Sequence, residues 1–588
     1  MKQFLKIFLA VVLAMMLGGF LLLISTVAIV GAISGSMSAR PTFVVQEKTI
    51  LKIDLKGRQR EYVQADPLAF LLGEKRQELS LHKQLQAIST AKENPNIVGI
   101  YLDAKDWRTG TASAQALRKA LADFKESGKF VIAYGDQYWQ STYYLCSVAD
   151  KVIVNPHGSI DLHGLSATYG FFAGLLDKLG VNVQVFKVGT YKSAVEPFIR
   201  KDMSAENREQ TLLFLNEQWA SILSDISESR QIDQNELNKA VDKIMQFDYA
   251  ESYIEGKLAD MLFYRSEAEN YLKILVGAAE KDKLIFASVD ELCSIAQPTT
   301  KITDQIAVLY AEGEITDASE ALYDSEPYIA TSLLKEIQSL KKDENVKAVV
   351  LRINSPGGSA YLSEQIWKEL SELKTQKPLI VSMGDVAASG GYYIAACADR
   401  IVANPATLTG SIGVFGIIPD FSGLIKKTGV TFDNVKTNPY ADFHSTIEPL
   451  DETEKRALQA YVEKTYRLFL QRCADGRDMG MDSVARIAEG RVWSGVSAER
   501  IGLVDELGDL DKAISIAADY AQISEYVTVN YPRQKDLFTL LLETSPMQIK
   551  AMLSPFSNPL FEELRQINKL KNIAPVQARM PFDFNTAL

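Results

Sequence analysis

Ser389 stands in the stretch LIVSMGDVAASGGYYIAACADRIVANPATLTGSIGV, residues 379–414. An apolar, β-prone run, Leu379-Ile380-Val381, precedes it; Gly390-Gly391 and the small, helix-prone residues Tyr392 to Cys397 follow. A serine on a glycine-rich turn between strand and helix has an exposed hydroxyl. The helix N-terminus beside it favours developing negative charge, which suits a nucleophile. Just upstream, the strand-like run Val349-Val350-Leu351 ends in Asn354-Ser355-Pro356-Gly357-Gly358-Ser359. A glycine pair at a strand end lets backbone N–H groups turn towards a substrate, as an oxyanion hole requires. Gly357 and Gly358, with Gly390 beside the nucleophile, are the candidate donors.

A serine hydroxyl is a poor nucleophile until a base removes its proton. Only four histidines occur, and His444, in ADFHS, is the only one in the same half as Ser389. It is one candidate base. The other is Lys192, in VFKVGTYKSAVEPF. Lysine acts as a base only when neutral, so burial must lower its pKa from ~10.4. Ser411, in TLTGSIGV, could accept an N–H from that amine and orient it.

The four cysteines, Cys146, Cys293, Cys397 and Cys473, are far apart and lack metal-ligand spacing, so free thiols and no cofactor are expected. A net charge of −11 argues against nucleic acid as a partner, because phosphate binding needs basic patches. The 588 residues suggest two or three domains, and 47% hydrophobic with 23% charged residues is the composition of a folded chain.

The elements that must position these residues begin behind an apolar segment. No charge occurs between Lys6 and Arg40, and Ile7 to Ile33 is almost continuously apolar. That run exceeds the ~20 residues that span a bilayer and is long for a cleavable signal peptide, the alternative. Lys2 and Lys6 precede it, which places the N-terminus in the cytoplasm and the bulk of the chain outside.

Beyond it, one pattern occurs twice. Gly135-Asp136 aligns with Gly384-Asp385 at an offset of 249 residues. The same offset sets Tyr143-Tyr144 on Tyr392-Tyr393, Asp150 on Asp399, and Ile97–Leu102 on Val346–Leu351. An internal duplication follows, and with it two similar α/β units with parallel strands. The losses are complementary. Gln140 stands where the second copy has Ser389, and residues 106–110 replace the SPGGS segment. Conversely, Ala441 stands where the first copy has Lys192. One composite site at the junction is the economical reading. The organisation expected is an anchor over 1–45, a lysine-bearing repeat over 46–300 and a serine-bearing repeat over 301–530. A carboxyl-terminal arm over 531–588 completes it. Residues 204–245 and 451–490 read as long amphipathic helices. In the arm, Leu537–Leu542 reads as an apolar helix, and no chemistry is legible there.

RINSPGGS, GDVAASGGYYIA, TGSIGV, GTYKSAVEPF and EGRVWSG together closely resemble the signal peptide peptidase A (protease IV) family in its long, duplicated form. The resemblance covers essentially the whole chain. It implies a Clp-protease/crotonase-like fold, a homotetramer on the outer face of the bacterial inner membrane, and a Ser–Lys dyad degrading residual signal peptides. Position by position, it places the nucleophile on Ser389, the base on Lys192 and the lysine-orienting serine on Ser411. An apolar substrate groove is expected. Two other functions fit parts of the pattern: a crotonase-like acyl-thioester enzyme, which needs no Ser/Lys pair, and a catalytically idle membrane scaffold.

Overall fold

Runs rich in Val, Ile and Leu, apolar on both faces, form the parallel centres of two sheets, as burial between helical layers demands. The computed structural model describes residues 17–18, 43–64, 78–295, 302–316, 327–443, 445–533 and 577–580. In the first repeat, β1 (Thr49–Arg60), β2 (Ile97–Arg108), β3 (Phe130–Tyr138) and β4 (Lys151–Ile160) lie side by side in that order, all parallel. A further strand, β5 (Asn182–Val188), leaves this sheet. The second repeat supplies β6 (Gln305–Glu312), β7 (Val346–Ser355), the short β8 (Gly357–Ser359), β9 (Leu379–Ala388), β10 (Leu408–Gly410) and β11 (Val414–Asp420). Of these, β6, β7, β9 and β10 are the parallel core of an eight-stranded mixed sheet, whose edge strand Val492–Ser494 runs antiparallel to β10.

The duplication holds in three dimensions. The helices α1 (Thr111–Lys125) and α2 (Gln140–Cys146) belong to the first repeat, where α2 follows β3. The second repeat has α4 (Ala360–Lys374) and α5 (Gly390–Ala395) in the same order, with the long α3 (Ala205–Arg230) between the copies. Tyr143 on α2 donates its hydroxyl to the Leu258 carbonyl at 2.9 Å, and Tyr392 on α5 does the same to Leu503 at 2.8 Å. The two long helices are shorter than their amphipathic patterns. α3 ends where Gln231 turns left-handed, φ 52°, and Asp233 caps a new helix. α6 (Glu452–Gly476) likewise stops before a second helix at Met481.

Charged groups at the strand ends join the repeats. Arg352, 5% exposed, donates from Nε and Nη2 to the Glu61 carboxylate at 2.9 and 3.0 Å, and Glu61 is 3% exposed. The helix α1 starts at Gly110, which has no side chain to cap it. Asp385 of the other repeat takes that place, accepting from Ser113 N at 2.9 Å and Ser113 Oγ at 2.6 Å. A Cβ on Gly110 would sit 2.2 Å from the Asp385 carboxylate, so the cap requires glycine there.

A third, six-stranded sheet draws on both repeats. The strands β5 and β11 pair antiparallel from Val188↔Val414 to Asn182↔Asp420. The carboxyl-terminal β12 (Gln577–Arg579) lies between β11 and β8. The apolar run Ile7–Ile33, apart from Leu17 and Gly18, lies outside the described residues, as do Leu537–Leu542 and His444. Among the described residues, no helix is long and apolar enough to cross a membrane.

Candidate active site

Ser389 follows the last residue of β9 and precedes α5, in the strand–turn–helix setting its sequence implies. Its backbone, φ 55° and ψ −114°, lies outside the regions favoured by L-residues. Eight non-glycine residues have positive φ among the described residues. Three of them, Ser389, Ser411 and Glu489, meet here. Strain of this kind persists only where the surroundings enforce it. The Ser389 N–H donates to the Gly410 carbonyl at 2.8 Å, and the Ser411 N–H donates to Arg491 O at 2.7 Å.

Lys192 comes from the other repeat. The strand β5 delivers it through a turn at Gly189, φ 105°, where a Cβ would meet Glu489 O at 2.4 Å. Its Nζ lies 2.8 Å from Ser389 Oγ and 3.1 Å from both Oγ and the carbonyl oxygen of Ser411. Lys192, Ser389 and Ser411 are all 0% exposed. Burial holds the amine well below the ordinary lysine range, and no carboxylate among the described residues opposes that shift. A neutral amine has two N–H bonds and one lone pair. With the N–H groups donating to Ser411, the lone pair is left for the Ser389 hydroxyl.

The glycines are arranged around this pair. A Cβ on Gly357, φ 95°, would lie 2.6 Å from Gly390 N, so these two residues touch beside the nucleophile. The Gly357 N–H donates to Ser355 Oγ at 3.2 Å. Gly358 belongs to the same strand, and a Cβ there would strike Ile315 O at 2.1 Å. Two further glycines make room for the lysine and carry no sequence role of their own. A Cβ on Gly490, φ 79°, would stand 2.6 Å from Lys192 Cβ, and one on Gly413 would stand 3.2 Å from Lys192 Cδ. Gly490 lies in the EGRVWSG motif, so the motif was visible while its contact with a lysine 298 positions away was not.

In the first repeat the residue at the Ser389 position does structural work. Gln140 Oε1 accepts from His163 N at 3.0 Å and Gly164 N at 2.9 Å. Ala441, the counterpart of Lys192, is exposed on a turn. Next to Ser389 is a buried apolar cluster of Phe214, Val386, Ala388, Leu408 and Val492, with Tyr169 and Leu215 packed against it. Met580, from the arm in which the sequence shows no chemistry, is buried in it.

The family model for peptidase family S49 matches residues 123–279 and again 371–524, once in each repeat. The chain belongs to peptidase family S49. A Clp protease family model also matches residues 298–407, which hold β6 to β9. Among S49 relatives, Protease 4 of Salmonella typhi is 38% identical over 486 residues, 81% of this chain and 78% of that protein. Protease 4 of Haemophilus influenzae is 36% identical over 85% of this chain and 82% of its own length. The serine protease SPPA of Arabidopsis thaliana, chloroplastic, is 32% identical over 82% of this chain and 71% of its own. Membership of S49 makes the chain a serine protease, a hydrolase, and answers against the thioester and scaffold alternatives.

Proposed function

We propose that this S49 protease cleaves peptides with a Ser–Lys dyad assembled from both repeats. Ser389 is the nucleophile, Lys192 the general base and Ser411 the residue that orients the lysine. The observation that carries the reading is the fully buried Lys192 amine, 2.8 Å from Ser389 Oγ and with no carboxylate partner among the described residues. The neutral amine takes the hydroxyl proton as Ser389 Oγ attacks the scissile carbonyl carbon. Backbone N–H groups of Gly390 and Gly358 receive the oxyanion, and that of Gly357 joins them once it leaves Ser355 Oγ. Collapse breaks the C–N bond, and the lysine ammonium returns its proton to the leaving amine. Water then attacks the acyl-enzyme, giving its proton to Lys192, and Ser389 regains a proton as the acid leaves.

The substrates are residual signal peptides and other apolar peptides. The buried apolar cluster of Phe214, Val386, Ala388, Leu408 and Val492 beside Ser389 supports that choice. The run Ile7–Ile33 anchors the protein in the bacterial inner membrane, with the catalytic repeats outside and the chain in a homotetramer. The expected result is that Ser389→Ala and Lys192→Ala each lose peptide hydrolysis while circular dichroism stays native. Full activity in Lys192→Ala, with loss in His444→Ala, would replace the dyad with a histidine mechanism.

A further inference from the structure

Lys192 stands on a turn, between β5 and one 3-10 turn at Ser193–Val195. Neither a strand ladder nor an α-helix therefore fixes its backbone. Much of the hold comes instead from the start of α3. Gln210, 0% exposed, donates from Nε2 to Tyr191 O at 3.2 Å and to Ser193 Oγ at 3.2 Å, the residues on either side of the lysine. Its Oε1 accepts from Val492 N at 3.1 Å. Val492 follows Arg491, whose carbonyl accepts the Ser411 N–H at 2.7 Å. One amide thus bridges the repeats, its nitrogen on the flanks of the base and its oxygen next to the residue that holds Ser411.

That amide has one workable orientation. Reversed, it would set Oε1 against the Tyr191 carbonyl and Nε2 against the Val492 N–H. Asn207, a turn earlier on α3 and 3% exposed, completes the network. Its Oδ1 accepts from Ser193 Oγ at 3.0 Å and Gln210 Nε2 at 3.3 Å, and its Nδ2 donates to Glu196 Oε2 at 3.1 Å. A buried network with its members satisfied specifies a single arrangement. At the rim, Arg491 Nη2 pairs with Glu209 Oε1 at 2.8 Å, but the Glu209 side chain is 56% exposed and this pair adds little.

We infer that Gln210 is a positioning residue for the general base. Through Tyr191 and Ser193 it sets where Lys192 carries its amine, and through Val492 it fixes that turn against the segment bearing Ser411. The inference rests on the dyad proposed above. Gln210 has no part in binding substrate, since it is sealed from solvent and its amide is fully engaged. Its effect belongs to the chemical step, where a displacement near 1 Å costs about a hundredfold in rate.

The test compares Gln210→Met with Gln218→Met in the full chain. Gln218, about two turns further along α3 and 8% exposed, gives its Nε2 to Ala406 O at 2.8 Å and makes no hydrogen bond to the lysine turn. Each variant loses one buried amide, so a merely structural Gln210 predicts the same behaviour from both. Peptide hydrolysis is normalised to the number of sites a fluorophosphonate labels at completion. Gln210→Met should lower kcat per labelled site about a hundredfold with KM unchanged, while Gln218→Met keeps kcat near the wild-type value. Ser193→Ala removes one of the two anchors with a smaller perturbation and should lower kcat by a smaller factor, again without KM. Equal kcat in the two methionine variants overturns the inference. So does a loss confined to KM or to the number of labelled sites, or, should Gln210→Met fail to fold, an unchanged kcat in Ser193→Ala. Full activity in Lys192→Ala sinks the dyad and the inference together, whereas loss in Lys192→Ala with equal methionine variants sinks the positioning role alone.

Discussion

At the residue scale the proposed chemistry turns on one lysine amine. Lys192 is buried without a counter-charge among the described residues, so its folded pKa is depressed, while in the unfolded chain it is ~10.4. Between those values the unfolded state binds more protons than the native one. Stability attributable to Lys192 therefore rises with pH across that window, by about 1.4 kcal/mol per pH unit, and at neutral pH the residue is a net cost. Replacement by methionine, similar in length and apolar, should give an inactive protein at least as stable as wild type near pH 7. The advantage should shrink as pH rises towards 10. Urea unfolding of both proteins at several pH values measures this; a methionine variant less stable at pH 7 by a pH-independent margin would mean a charged, structural lysine. The repeat singled out Ser389 and Lys192 in the sequence by what each half had lost, and Ser411 entered as a neighbour able to orient the amine; the structure brings the three together. Their shared burial was not legible there, since it depends on segments hundreds of residues apart.

Glycines that face other chains of atoms set the geometry at the element scale. Gly490 has φ 79°, and a Cβ there would meet the Lys192 backbone and Cβ within 2.8 Å. Gly490→Ala should push the lysine from its place, and a misplacement near 1 Å costs about a hundredfold in rate. Gly128, φ 77°, has nothing within 4 Å of a Cβ. Gly128→Ala therefore imposes similar backbone strain and should leave kcat/KM unchanged. Equal effects of the two substitutions would show that strain, and not contact with Lys192, matters. The strands and the turn before α5 follow from alternating apolar runs and glycine punctuation, which is why they were readable. The strand at Gln577–Arg579 was not. Its residues carry no β-pattern of their own and become a strand only between two waiting edges.

The account for the whole molecule requires the two repeats to be held in one relative position, because Lys192 and Ser389 lie on different ones. The buried Arg352–Glu61 pair is a principal tie, and Arg352 Nη1 also donates to Ser382 Oγ at 2.9 Å and Met383 O at 2.8 Å. Removing one partner strands a buried charge, which typically costs about 3–5 kcal/mol. Glu61→Leu should show a loss of that size in urea unfolding and a fall in activity, and Glu61→Leu with Arg352→Met should recover much of the stability. A single variant within about 1 kcal/mol of wild type would contradict this role. The duplication foretold two sheets and a site between them. It did not foretell this tie, because Glu61 belongs to no motif and its counterpart lies outside the matching stretches.

The central claim is that a buried neutral lysine activates Ser389, and covalent labelling by a fluorophosphonate tests it most directly. The adduct is located by peptide mapping, and its rate of formation is followed against pH in wild type and Lys192→Ala. The account predicts a single adduct on Ser389. Its rate rises with pH through the depressed lysine pKa, and Lys192→Ala forms little or none. An adduct on another residue, or equal labelling and an unchanged pH profile without Lys192, would contradict it.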